Sequence, residues 1–185
     1  MLNDYFSTVV LPIEFSCTIL IDDMLVSNVY YIKLGIDPST DALEHMGIGI
    51  QRIKYIVENY FQNSVIVNQE HELAKPLDFL DNNLISLPCE PYDFFVGAIL
   101  FSKFEAITEK YIDIQYLTVA SMIGDRVQYN LESPYDSGLE LEGEHWWNSD
   151  NVNTGSQELV TWDALNLTES PVFRPTVVKG GLSEK

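Results

Sequence analysis

The order in which the hydrophobic pattern changes period along this 185-residue chain is the feature that most constrains its fold. Two runs rich in β-branched residues, 8–20 and 24–36, flank the pair Asp22-Asp23 and predict a β-hairpin. Residues 41–62 then carry apolar side chains at steps of three and four, which is typical of an amphipathic helix. The chain is therefore expected to begin with a hairpin that leads into a helix.

The same alternation of strand and helix patterns continues along the chain. Short apolar runs at 64–67 and 84–87 predict two strands. Residues 92–110 are apolar around most of the helical circumference, which predicts a helix buried on more than one side. Residues 111–122 and 126–132 alternate in the manner of strands and predict a second hairpin.

Residues 24–121 thus have the order strand, helix, strand, strand, helix, strand. Two successive β-α-β units of the same hand predict a ferredoxin-like β-α-β-β-α-β core, with two helices on one face of a mainly antiparallel sheet. The N-terminal hairpin strand at 8–20 and the following strand at 126–132 would extend this sheet. We expect an α+β domain over residues 1–132.

Beyond residue 132 the composition of the chain changes. Between Arg126 and Arg174 there is no lysine or arginine, and nine aspartates and glutamates lie in this interval. Since the whole chain has 28 acids and 10 bases, half of its net charge of -18 falls in about a quarter of its length. Aromatic side chains interrupt these acids, which is not typical of a disordered solvating segment. Residues 133–185 are therefore predicted to form a long acidic, aromatic-rich arm packed on the domain or on a neighbouring chain.

The arm combines the residue types that are expected where a protein meets a basic surface. Tyrosine and tryptophan concentrate binding energy at interfaces, and carboxylates steer a basic partner. In an extended segment Trp146 and Trp147 point to opposite sides, so we expect one to be buried in its own chain and the other to meet the partner. The predicted partner-binding residues are Tyr135, Glu140, Glu142, Glu144, Trp146, Trp147 and Trp162.

Four bases lie on the two predicted helices. Solvated helix faces with weak local ion pairs are their expected surroundings, and contacts to acids on a neighbouring face or subunit are the alternative. These bases are Arg52, Lys54, Lys103 and Lys110.

The net charge and the cysteine content limit the partners and the compartment. A charge of -18 repels phosphate backbones and anionic membranes, so it excludes nucleic-acid binding through a basic patch and favours basic partners. The N-terminus lacks the features of a signal peptide, and no apolar run approaches the ~20 residues that span a bilayer. Cys17 and Cys89 form no disulfide framework. We expect a soluble cytoplasmic protein, with incorporation in a virus particle as one setting.

The sequence contains no specific catalytic, cofactor or metal motif. Phosphate-binding glycine patterns and a nucleophile elbow are both absent. His145 lies beside Glu144, but no second histidine follows at a helical spacing. A calcium loop aligned on the glycine within residues 150–158 would put Val152 at a ligand position, so that match fails. No catalytic residue, cofactor or metal is therefore predicted.

Taken together, these features predict a non-enzymatic acidic protein-binding module that forms homo- or hetero-oligomers. It would be a subunit or an accessory of a larger protein assembly. The first alternative is an acidic inhibitor that imitates DNA and occupies the basic groove of a nucleic-acid-binding protein. The second alternative is a small hydrolase or nucleotide-binding enzyme that uses His71 or His145.

Overall fold

The structure, a computed structural model, describes residues 8–37, 43–108, 111–152 and 160–168. The strands are β1 (Val9–Ile21), β2 (Met24–Asp37), β3 (Val65–Asn68), β4 (Leu84–Leu87), β5 (Asp113–Ser121) and β6 (Tyr129–Leu131). The helices are α1 (Leu43–Ile56), which continues into a π turn (Val57–Phe61), and α2 (Asp93–Thr108). Three 3-10 segments are a crossover turn (Lys75–Asn83), a proline turn (Pro134–Ser137) and a tryptophan turn (Trp146–Asn148). The predicted order of strands and helices is confirmed.

The predicted hairpin is the centre of the sheet. β1 and β2 pair antiparallel over their full length, from Val9 opposite Ile36 to Ile21 opposite Met24. Asp22 and Asp23 connect them with φ values of 49° and 59°. Two consecutive left-handed residues match the twist of the flanking strands, and aspartate tolerates this conformation better than most residues.

The strands form one mixed, open six-stranded sheet in the order β4-β3-β1-β2-β5-β6. β1–β2, β2–β5 and β5–β6 are antiparallel, whereas β1–β3 and β3–β4 are parallel. The protein is therefore α+β, but its strand order differs from the predicted ferredoxin-like order, in which neighbouring strands all run antiparallel. The chain between β3 and β4 is long enough to return and start β4 in the direction of β3, as parallel pairing requires.

Two crossover connections, one from β3 to β4 and one from β4 to β5, lie on opposite faces of the sheet. β4 and β5 run in the same direction but are not neighbours. The crossover turn between β3 and β4 covers a small apolar cluster of Leu20, Val67 and Ala74. Helix α2, between β4 and β5, packs on the main core on the other face. These connections move along the sheet in opposite directions, so a common right-handed crossover places them on opposite faces.

Helix α2 is enclosed from two sides, as its sequence predicts. Side chains around its whole circumference are buried, among them Val96, Ile99, Phe101 and Phe104. β5 and β6 contact it from the sheet side, and the proline and tryptophan turns contact it as well. Residues 133–152 and 160–168, which we name the C-terminal segment, thus pack on the helices as a third layer. No helix in the described ranges is both long enough and apolar enough to cross a membrane.

Candidate functional site

The C-terminal segment begins at a well-capped turn. The Ser133 hydroxyl accepts a hydrogen bond from the Tyr135 N–H, and the Asp136 carboxylate accepts one from the Ser133 N–H at 2.9 Å. Gly138 ends the turn with a φ of 70°, a conformation that glycine adopts without strain. The turn directs the following residues across α2.

Buried side chains hold the C-terminal segment to the helices. Leu141, Trp147, Val152 and Trp162 are 1%, 3%, 0% and 7% exposed and belong to the main hydrophobic core. Burying side chains of this size contributes about 2 kcal/mol or more each. The segment is therefore part of the folded unit.

The two neighbouring tryptophans both contact their own domain. They lie in a 3-10 turn, so the extended conformation from which we expected them to point to opposite sides is wrong. Their rings make an edge-to-face contact with centroids 5.6 Å apart. The Trp147 indole donates to the Leu141 carbonyl at 3.2 Å. Trp146 is half-buried and donates to the carbonyl of Ser86 on the edge strand β4 at 3.1 Å.

Lys103 on α2 binds the backbone in and after the tryptophan turn. Its side chain is fully buried, and its Nζ donates to the carbonyls of Trp146, Ser149 and Asn151 at 2.9, 2.9 and 2.8 Å. An ammonium group has three donors, so three carbonyls match it. Burial lowers the pKa of Lys103 to about 7, and Asp150 acts in the opposite direction. The expectation that Lys103 lies on a solvated helix face is therefore wrong.

Arg52 on α1 likewise binds the backbone of the C-terminal segment, at Leu167. It is 7% exposed and donates to the carbonyls of Ile107 and Leu167, both at 3.1 Å. Its guanidinium lies 4.5 Å from the Tyr111 ring centre and 4.7 Å from that of Trp162. Cation–π contacts of this kind are stronger when the cation is desolvated. Arg52 is thus also buried, contrary to expectation.

A cavity of about 340 Å³ opens beside Arg52 and is lined by α1, α2 and the C-terminal segment. Asp150 and Asp163 line it as well, and both act to keep the guanidinium charged against the effect of burial on its pKa. Arg52 donates from Nε, Nη1 and Nη2 to groups of its own chain. Each of the three guanidinium nitrogens beside the cavity therefore has a partner within the chain.

The acids of the C-terminal segment are exposed, in contrast to its buried apolar residues. Every acid in its described part is exposed, and we name this set the acidic strip: Asp136, Glu140, Glu142, Glu144, Asp150 and Asp163. Tyr135 is also exposed, at 59%. Of the predicted partner-binding residues, the glutamates and Tyr135 therefore face solvent, whereas the three tryptophans contact the domain.

Two of the three histidines, His71 and His145, have described side chains. His71 lies with Nε2 3.2 Å from an Asp23 carboxylate oxygen, and its Nδ1 accepts from the Leu73 N–H at 3.1 Å. The His145 ring stacks on Trp147 at 4.4 Å. The side chain of His45 lies outside the described residues.

The two cysteines are buried or half-buried free thiols. Burial raises the pKa of Cys17 to about 12 and, together with Glu90, that of Cys89 to about 11, so both stay protonated near neutral pH. Within the described ranges no group of three His, Cys, Asp or Glu side chains is placed to hold a metal ion.

The structure also shows an apolar surface that sequence reasoning missed. It surrounds the connection between β5 and β6 and the start of α2, and its members are 40% to 57% exposed. We name it the turn surface: Tyr92, Met122, Ile123, Val127 and Tyr129. Neighbouring rings link its two ends, with Tyr92–Phe95, Phe94–Phe95 and Phe94–Tyr129 centroids 6.4, 6.1 and 5.7 Å apart. The sequence does contain a signal for this surface. Apolar residues flank Gly124-Asp125, whereas turns are normally polar.

The fold is that of an α+β protein with a mixed six-stranded sheet and two packed helices. No protein-family model matches the chain, and no curated protein matches it significantly. Function must therefore be inferred from the surfaces themselves.

Proposed function

We propose that this protein is a non-enzymatic protein-binding module, a subunit or accessory of a larger assembly, whose partner presents a basic surface. The acidic strip carries this proposal. Its carboxylates are exposed, while the backbone that bears them is fixed by buried side chains and by Lys103 and Arg52.

A fixed strip of charge binds at lower entropic cost than a flexible acidic tail. The backbone is already ordered before the partner arrives, so less conformational freedom is lost on binding. The anchoring bases are buried under the segment, and they do not present positive charge on the outside. The carboxylates therefore act together to steer and orient a basic surface.

Neutralising part of the strip tests the proposal. The variant Glu140→Gln, Glu142→Gln, Glu144→Gln removes three exposed charges from the strip. A matched control, Glu14→Gln, Glu58→Gln, Glu72→Gln, removes three exposed charges elsewhere. Both have the same net charge, so a difference between them reports the position of the charges.

We expect the strip variant to lose the partner that the tagged wild-type protein retains from its native source, while the control keeps it. In binding titrations with that purified partner, wild-type affinity should fall as salt rises, because exposed charge pairs are screened. Equal loss in the two variants, or an affinity that ignores salt, would contradict the proposal.

A further inference from the structure

The cavity beside Arg52 has the size and the lining of a small-molecule site. Its volume of about 340 Å³ lies within the range of about 300–1,000 Å³ that is typical of pockets for small ligands. Its lining combines apolar surface with charged groups, as ligand pockets usually do. The apolar surface includes Ala106, Tyr111 and Trp162, and the charged groups are Arg52, Asp150 and Asp163.

The backbone at Asp150 is held in place before any ligand arrives. Asp150 lies between two residues whose carbonyls Lys103 binds. These are the carbonyls of Ser149 and Asn151, whose oxygens lie 2.9 and 2.8 Å from Nζ. The Trp162 indole N–H donates to the carbonyl of Asp150 itself. A site that is already ordered loses less conformational freedom when a ligand binds.

The charged groups of the cavity supply both hydrogen-bond donors and acceptors. A guanidinium has five N–H donors, and three of those of Arg52 go to two backbone carbonyls and a tyrosine hydroxyl. Two N–H donors remain beyond these bonds within the described ranges. Asp150 and Asp163 are exposed, and an ionised carboxylate only accepts. A ligand that satisfies this lining must therefore both accept and donate.

The cavity carries charges of both signs, which favours a neutral ligand. A cation would meet the buried Arg52, whose guanidinium lies 4.5 and 4.7 Å from the ring centres of Tyr111 and Trp162 and is held there by its hydrogen bonds. An anion would meet Asp150 and Asp163. Repulsion between like charges is strong where burial reduces solvent screening, and a neutral molecule avoids it.

We propose that this cavity binds a neutral, hydroxyl-rich small molecule of the size of a monosaccharide. A hydroxyl group both donates and accepts, so the hydroxyls of one ligand accept from Arg52 and donate to Asp150 and Asp163. The C–H groups of a sugar ring are apolar and match the surface of Ala106 and Trp162. The inference goes beyond the proposed function, because binding of a basic partner requires only the acidic strip.

Three probes that share one sugar ring and differ in charge test the chemical class. They are neutral methyl glucoside, protonated glucosamine and glucuronate. Saturation-transfer difference NMR with the full chain measures each dissociation constant, and methyl galactoside and methyl mannoside test other hydroxyl configurations. We expect at least one neutral glycoside to bind in the millimolar range and the two charged probes to bind more weakly. No binding of any neutral glycoside, or tighter binding of a charged probe, would overturn the inference.

Filling the cavity locates the binding site. Ala106→Leu adds apolar atoms to the α2 side of the cavity and should weaken binding of the neutral glycoside by about tenfold or more. The matched control Ala164→Leu makes the same change at an exposed position of the C-terminal segment and should leave the dissociation constant unchanged. Circular dichroism checks that both variants keep the fold. Equal binding by the two variants would overturn the inference.

Removing one acceptor provides a second test that does not depend on packing. Asp163→Ala deletes an exposed carboxylate from the lining, so it should weaken glycoside binding by about fivefold or more. Asp78→Ala removes an exposed carboxylate from the crossover turn and should have no effect. An unchanged dissociation constant in Asp163→Ala would contradict the assigned hydrogen bond.

The two proposals fail separately. Ala106→Leu keeps every charge of the acidic strip, so it should lose the glycoside and retain the basic partner. The variant with glutamine at positions 140, 142 and 144 changes no residue that lines the cavity, so it should lose the partner and retain the glycoside.

Discussion

Two sets of aromatic side chains in this protein have opposite surroundings. Trp147 and Trp162 in the C-terminal segment are 3% and 7% exposed, whereas Tyr92 and Tyr129 of the turn surface are 50% and 40% exposed. The segment crosses α2, whose apolar outer face must be covered, and its indoles cover it. No other described segment does this for the turn surface.

The difference shows that the burial of an aromatic side chain depends more on the surface that it packs against than on the composition of the surrounding sequence. The tryptophans lie in the most acidic part of the chain, where a partner-facing role is the natural expectation. Two buried bases, Lys103 and Arg52, bind the backbone there and bring the indoles against the helices. The tyrosines lie around an ordinary hairpin turn, where no such base acts.

Removing a buried indole should have the largest effect on the stability of the protein. Trp147→Ala should lower the free energy of unfolding by about 3 to 5 kcal/mol, since it removes a large core side chain and leaves a cavity. Urea denaturation measures the change. The matched substitution Tyr129→Ala on the turn surface should cost about 1 kcal/mol or less. A loss of only about 1 kcal/mol or less for Trp147→Ala would show that the segment is not part of the core.

Removing a buried base is expected to have the next largest effect. Lys103→Met keeps the apolar stem but leaves three carbonyls without their donor, so the free energy of unfolding should fall by about 2 kcal/mol. Lys54→Met, at an exposed position of α1, should change it by less than about 0.5 kcal/mol. Hydrogen exchange should accelerate in residues 146–151 of the first variant only. Unchanged exchange there would contradict the role assigned to Lys103.

The parts of this fold that could be predicted are those that local sequence patterns determine. The hairpin at Asp22-Asp23 and both helices depend on residues close in sequence, and their periods identify them. The pairing of β3 was not predictable in this way, because the chain after residue 68 fits either a hairpin or a crossover. Pattern alone does not choose between them, and packing of the crossover turn on Leu20 and Val67 favours the crossover.

The candidate site could also be predicted only in part, because some of its contacts join residues that are far apart in sequence. The acids and Tyr135 are exposed, but the conformation at Trp146 depends on Lys103, which is 43 residues away in sequence. One signal for Lys103 was present, because it lies in a helix that is apolar on all sides. A base in such a helix has no polar face on which to remain solvated.

A smaller effect should appear in the pH dependence of stability. Burial lowers the pKa of Lys103 from 10.5 to about 7 in the folded state. Between these values the unfolded chain holds a proton that the folded chain has released, so this group makes the folded state more stable as pH rises through the window. The slope is at most about 1.4 kcal/mol per pH unit.

Urea denaturation between pH 7 and 10.5 measures this slope. The difference in unfolding free energy between the wild type and Lys103→Met should increase with pH over that range, because the variant has no amine to titrate. A constant difference would mean that the Lys103 ammonium keeps its proton in the folded state throughout.

The smallest stability effects should come from substitutions of exposed residues. Ile123 and Tyr135 are 42% and 59% exposed, so Ile123→Ser and Tyr135→Ser should each change the free energy of unfolding by less than about 0.5 kcal/mol. A larger loss for Ile123→Ser would make the turn surface part of the monomer's own core. If the monomer tolerates the loss, its stability does not explain why apolar side chains occupy a solvent-facing turn.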